Sequence, residues 1–122
     1  MPRKTPEAHR WHVAFDFLPP SVNHQYGRRG SQAYTERGAA SVLEGISLLV
    51  AAQGFQFSIK ARYSVRVLFT FPSDVFDLDN RVKPLMDAVF GARGDHRVYH
   101  LEADKEVYSG RERTELWIEE VG

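Results

Sequence analysis

From Asp77 to Val98 the chain reads DLDNRVKPLMDAVFGARGDHRV, and two patterns overlap in it. Val82, Leu85, Met86, Val89 and Phe90 recur at the i, i+3, i+4, i+7, i+8 spacing of one helix face. Asn80, Lys83 and Asp87 fall at i, i+3, i+7 on the opposite face. Pro84 must lie near the start of such a helix, because a proline is tolerated in the first turn, where its missing N–H has no intrahelical partner. The helix is therefore expected to begin near Asn80 or Arg81. Asp77–Asp79 then belongs to an extended approach, and Gly91 and Gly94 close the far end. One segment thus specifies a helix that buries one side and carries a lysine among carboxylates on the other.

The flanking sequence supplies strands. WHVAFDFL (11–18) puts Trp11, Val13, Phe15 and Phe17 on one face, and Pro19-Pro20 ends it. PPSVNHQYGRRGS (19–31) is a polar, glycine-bearing loop. From Gln32 to Gln53 the stripe Val42, Ile46, Leu49, Val50 predicts a helix that Gly54 stops. Gly38 and Gly45 weaken that helix. RYSVRVLFTF (62–71) alternates as a second strand. RVYHLEADKEVY (97–108) and TELWIEEV (114–121) predict two more, joined by a turn at SGRER. The expected fold is a single α+β domain over 11–122, in β-α-β-α-β-β order, with a small mixed sheet and two helices. Residues 1–10 are expected to be a flexible tail.

Composition narrows the chemistry. The 122 residues contain no cysteine, which removes disulfides and thiolate metal sites. No apolar run approaches the roughly 18 residues of a membrane span, and MPRKTPEAHR has no apolar signal core. The zero net charge hides an asymmetry. Residues 1–66 carry nine Lys/Arg against four Asp/Glu, whereas residues 67–122 carry seven against twelve. A basic half can meet phosphates and an acidic half can hold a cation.

In an extended approach Asp77 and Asp79 project to one side. Two carboxylates there, with a third brought in from elsewhere, suit a hard cation such as Mg²⁺, which takes few oxygen ligands from protein and keeps room for phosphate and water. Lys83 points from the same side as these carboxylates, and Asp95 follows on a short loop that can return toward them. This set fits metal-assisted phosphodiester hydrolysis: the carboxylates hold the metal, and the lysine meets the charged phosphate. Simpler roles stay open beside it. Asp79 or Asn80 can cap the helix. Asp87 can pair with Lys83 at i, i+4, and Asp95 can serve a turn. A calcium loop does not fit, because Val82 and Ala88 stand where glycine and glutamate are required.

DLDNRVKPLMDAVF, then GDHRV, then Lys105, resembles the RusA family of Holliday-junction resolvases of phages, prophages and bacteria. The family's D-x-D-N-x-x-K-x-x-x-D-A core is similar to Asp77, Asp79, Asn80, Lys83 and Asp87. Its aspartate before a valine-led strand, with a lysine seven residues past that valine, is similar to Asp95, Val98 and Lys105. LPPSVNHQY (18–26) is similar to the family's proline-proline-serine loop. The resemblance covers roughly residues 11–120. One departure is that a single Asp95 follows Gly94 where several relatives have two adjacent aspartates.

The resemblance implies that Asp77, Asp79 and Asp95 are the metal-binding catalytic carboxylates and that Lys83 is the catalytic or phosphate-contacting lysine. Asn80 and Asp87 would shape the site, and Lys105 would contact DNA. The implied cofactor is Mg²⁺, with Mn²⁺ able to substitute. The implied partner is four-way-junction DNA, cut by a homodimer in the cytoplasm of a bacterial host, from a phage or prophage. Asn23, His24, Tyr26, Arg28 and Arg29 combine charge, hydrogen bonding and an aromatic ring on one loop, the types that contact phosphate and stack on bases. A nuclease for forks and flaps, a non-catalytic branched-DNA-binding protein and a purely structural domain stay as alternatives. Arg62 and Arg66 are expected either to extend a phosphate track or to sit in salt bridges.

Overall fold

A computed structural model describes residues 9–22, 36–91 and 93–121. The elements are β1 (Arg10–Phe15), α1 (Glu36–Ala52), β2 (Tyr63–Phe71), α2 (Asp79–Phe90), a 3-10 turn (Asp95–Arg97), β3 (Val98–Val107) and β4 (Arg113–Glu120). The chain is a small α+β domain with a four-stranded mixed sheet, as the alternation and helical spacing predict. Residues 1–8 of the expected tail lie outside the described residues.

The sheet order is β1-β4-β2-β3. β4 runs antiparallel to both β1 and β2, and β2 runs parallel to β3. The turn expected at SGRER does follow β3, but β3 and β4 do not pair with each other, because β2 lies between them. A parallel neighbour requires a crossover of a dozen or more residues. Helix α2 and the 3-10 turn are that crossover, so the acidic segment connects two adjacent strands.

One face of the sheet is the core. Val13, Phe15, Val65, Val67, Phe69, Phe71, Leu116 and Ile118 are buried there with Ile46 and Val50 of α1 and Leu85, Met86, Val89 and Phe90 of α2. Leu85 is fully buried, and burial of that size contributes about 1.5–3 kcal/mol. Phe55, Tyr63 and Phe90 meet with ring centroids 5.3–5.7 Å apart. This knot fixes the C-terminal end of α2 over the start of β2. The opposite face carries no described helix. Trp117 stands on it between His12, stacked at 5.3 Å, and the Arg66 guanidinium, 4.8 Å from the ring centroid. Arg62 likewise lies over Tyr99. Both arginines thus rest on aromatic rings.

Candidate functional site

Helix α2 begins one residue earlier than expected, at Asp79, and its approach is not extended. Leu78 stands at the N-cap with α-helical φ −59° and ψ −48°. The argument that Asp77 and Asp79 share a side because they sit in a strand-like segment therefore does not describe this backbone. Neither Asp79 nor Asn80 caps the helix, since no side-chain cap bond is formed. Asn80 instead donates from Nδ2 to Asp77 Oδ2 at 3.4 Å, which ties the two residues across the helix start. Asp79 lies in the first turn, where the positive end of the helix dipole favours a carboxylate. Asp77 and Asp79 are both exposed.

One turn further along, Lys83 lies between two carboxylates. Its Nζ donates to Asp87 Oδ1 at 2.9 Å and to Asp95 Oδ2 at 2.7 Å. The hydrogen bond to Asp87, then that to Asp95, hold the lysine pKa well above its ordinary value, and desolvation opposes them only weakly. The i, i+4 pair expected on this face is present, and Asp95 returns to the lysine rather than to Asp77 and Asp79 as expected.

Gly91 and Gly94 make that return possible. Gly91 adopts φ +80° and donates to the Asp87 carbonyl at 2.9 Å. A side chain on Gly94 would collide with the Phe90 carbonyl oxygen and crowd the Phe57 ring. Arg97 then donates from its backbone N–H to the Gly94 carbonyl, and from Nε to the Ala61 carbonyl at 2.8 Å. The chain between α2 and β3 is held at both ends, and Asp95 projects from it toward Lys83.

Asp79 and Asp87 are eight residues apart, about 12 Å along the helix axis. The carboxylates accordingly form two stations, Asp77 and Asp79 at the head of α2 and Asp87 with Asp95 further down, with Lys83 between. Among the described residues no group of three or more carboxylate or imidazole side chains is placed to hold a metal ion. The donors are nonetheless all carboxylate oxygens, the kind that Mg²⁺ takes. In kind, then, Asp77, Asp79 and Asp95 fit the cation that the resemblance implies, with Asp95 here engaged by Lys83.

Lys105 reaches this region from β3. Its Nζ donates to the carbonyls of Asp74 at 3.0 Å and Phe76 at 2.8 Å, with the Asp74 carboxylate at 3.4 Å. It thus fastens the segment that leads into Asp77. Arg81 was not singled out by its sequence position, yet it does comparable work. It donates from Nη1 to the Pro19 carbonyl at 2.6 Å and covers the Phe76 ring at 5.5 Å. The only sequence signal was a long cation at the edge of the apolar stripe. Through it the proline loop is joined to the head of α2. Asn23, His24, Tyr26, Arg28 and Arg29 lie outside the described residues.

A cleft of about 490 Å³ lies elsewhere, on the open face of the sheet, lined in part by Arg10, His12, Arg66, His100, Glu102 and Trp117. Its charges are largely paired already: His12 meets Glu115 at 2.7 Å and Arg10 meets Glu119 at 3.5 Å. His100 lies 3.8 Å from Glu102. The cleft shares none of its lining residues with the carboxylates and lysine of α2. No described helix is long and apolar enough to cross a membrane. No protein-family model matches the chain, and a search of curated proteins finds no match.

Proposed function

We propose that this chain is a Mg²⁺-dependent endonuclease of the RusA type that resolves four-way DNA junctions by paired symmetric nicks as a homodimer. The observation that carries the reading is the return of Asp95 to Lys83, one turn along the helix from Asp79 and Asn80. Lys83 with its two carboxylates, and two further carboxylates at the helix head, supply the residue types that metal-assisted phosphodiester hydrolysis uses.

Asp77, Asp79 and Asp95 would hold the metal, which when bound polarises a phosphoryl oxygen and lowers the pKa of a bound water. The remaining work belongs to the chain. Lys83 keeps its proton at neutral pH and offers a fixed positive charge for a phosphate oxygen. Asp87 holds the lysine stem at its station. Asn80 orients the Asp77 carboxylate. Lys105 and Arg81 restrain the backbone on which Asp77 sits. Asn23, His24, Tyr26, Arg28 and Arg29 supply groups for the DNA backbone and bases. A host-cell cytoplasm and a phage or prophage source accord with that activity.

Cleavage of end-labelled synthetic DNA tests the reading. A mobile four-way junction, a three-way fork and a linear duplex are compared with Mg²⁺, with Mn²⁺ and with EDTA. Paired nicks on the four-way junction alone, dependent on metal, support it. Equal cutting of the fork moves the assignment to a general branched-DNA nuclease. Tight binding without cutting in either metal leaves a DNA-binding protein.

A further inference from the structure

The start of β3 holds a group that neither the core nor the site at α2 accounts for. Tyr63 pairs with Val98 and Ser64 with His100, so the register slips at Tyr99, which has no partner on β2. An extra residue of this kind bends its strand and re-aims its side chain. Here the ring is 62% exposed and meets two cations. The Arg62 guanidinium lies 5.5 Å from the ring centroid and the Arg97 guanidinium 5.4 Å. One ring thus gathers two positive charges.

Both arginines stand on fixed backbone. The Arg62 carbonyl accepts from the Val121 N–H at 2.8 Å, which ties it to the end of β4. Arg97 donates from Nε to the Ala61 carbonyl at 2.8 Å, a bond that uses one of its five N–H donors. Among the described residues, no carboxylate forms an ion pair with either guanidinium. The surrounding sequence has the same sign. Segments 60–62 and 93–97 carry Lys60, Arg62, Arg93 and Arg97 against one carboxylate, Asp95, and Lys83 engages that one.

We infer that Arg62 and Arg97, gathered on Tyr99, form a second phosphate-contacting station for DNA bound at α2. A guanidinium matches phosphate geometry with paired donors, and arginines on fixed backbone position a nucleic acid without reading its sequence. The place fits as well. Arg97 is two residues past Asp95, so their Cα atoms are at most about 7 Å apart. A DNA strand that reaches Lys83 can therefore continue past Arg97. The station sets the direction in which that strand leaves Lys83. It serves only a chain that binds DNA at α2, so it rests on the function proposed above.

Gel-shift titration of a labelled four-way junction in EDTA, repeated from about 50 to 200 mM salt, tests it. Arg62 is exposed and its described side-chain contact is with the ring alone, so Arg62→Gln should fold as the wild type does. That variant should lower the logarithmic salt slope by about 0.9, and Arg62→Gln combined with Arg97→Gln by about 1.8. Arg10→Gln is the control. Arg10 is exposed, pairs with Glu119 and lies on β1 at the far edge of the sheet, so the slope should not change. A wild-type slope in both Arg62→Gln and the double variant overturns the inference, and cleavage retained by them leaves the reading of α2 standing. An equal fall in Arg10→Gln overturns it too, because the effect is then one of net charge. A wild-type chain that binds no junction removes both.

Discussion

Lys83 and Asp95 meet at 2.7 Å although a helix end, two glycines and a change of direction separate them. The contact decides what the lysine can do. Two carboxylates hold its ammonium, and both contacts favour the protonated form. For a group whose folded pKa is raised, the linked stabilisation is complete below the unfolded value, near 10.4, and is lost as pH climbs through the folded value. Lys83 should therefore titrate later than a free lysine side chain. Carbon-13 NMR of its Cε resonance would show it unshifted at the pH, about 10.4, where a free lysine is half titrated. Titration at that pH would show that the bridge does not persist in solution.

Replacing Asp79 by Asn removes a negative charge at the head of α2 while keeping its shape. On the proposed function, cleavage should fall at least a hundredfold and junction binding should remain within about threefold, because metal ligation fails while DNA contacts persist. A gel-shift assay in EDTA and a cleavage assay in Mg²⁺ separate the two. Undiminished cleavage would remove Asp79 from the catalytic set. The loss of charge near the helix N-terminus should itself cost about 0.3–1 kcal/mol of stability.

Gly94 is the tightest point of the turn that delivers Asp95. Gly94→Ala places a methyl group against the Phe90 carbonyl oxygen and the Phe57 ring. The expected cost is about 1–3 kcal/mol, as for other overpacked sites. Urea unfolding should show a lower midpoint with an unchanged slope. The displaced turn should also loosen Asp95 from Lys83, so cleavage should fall more than stability alone explains at temperatures where the variant is fully folded.

The helix and the strands were legible because side-chain periods are local: Leu85, Met86, Val89 and Phe90 can share a face only at 3.6 residues per turn. The separation of β3 from β4 was not legible, because strand order depends on pairings distant in sequence. Nor was the helical Leu78, since a D-L-D tripeptide does not itself distinguish extended from turned backbone. A return of Asp95 could be anticipated from the glycines, but that it meets Lys83 and not Asp77 or Asp79 depends on the backbone path through Gly94 and Arg97. The contacts of Lys105 and Arg81 were not legible for one reason: their partners are main-chain carbonyls, which have no sequence signature.

Lys105 offers the sharpest separation between two roles. The resemblance implies a DNA contact, whereas the structure gives it the carbonyls of Asp74 and Phe76. Lys105→Met keeps the stem and removes the charge. If the lysine is a strut, the substitution should lower stability by about 1–2 kcal/mol more than a surface change does. Amide exchange should then quicken at residues 74–78, and the salt dependence of junction binding should not change. If it contacts a phosphate, the logarithmic salt slope should fall by about one, with stability nearly constant. We expect the first pattern, because the two carbonyl bonds and the nearby Asp74 carboxylate already occupy the ammonium.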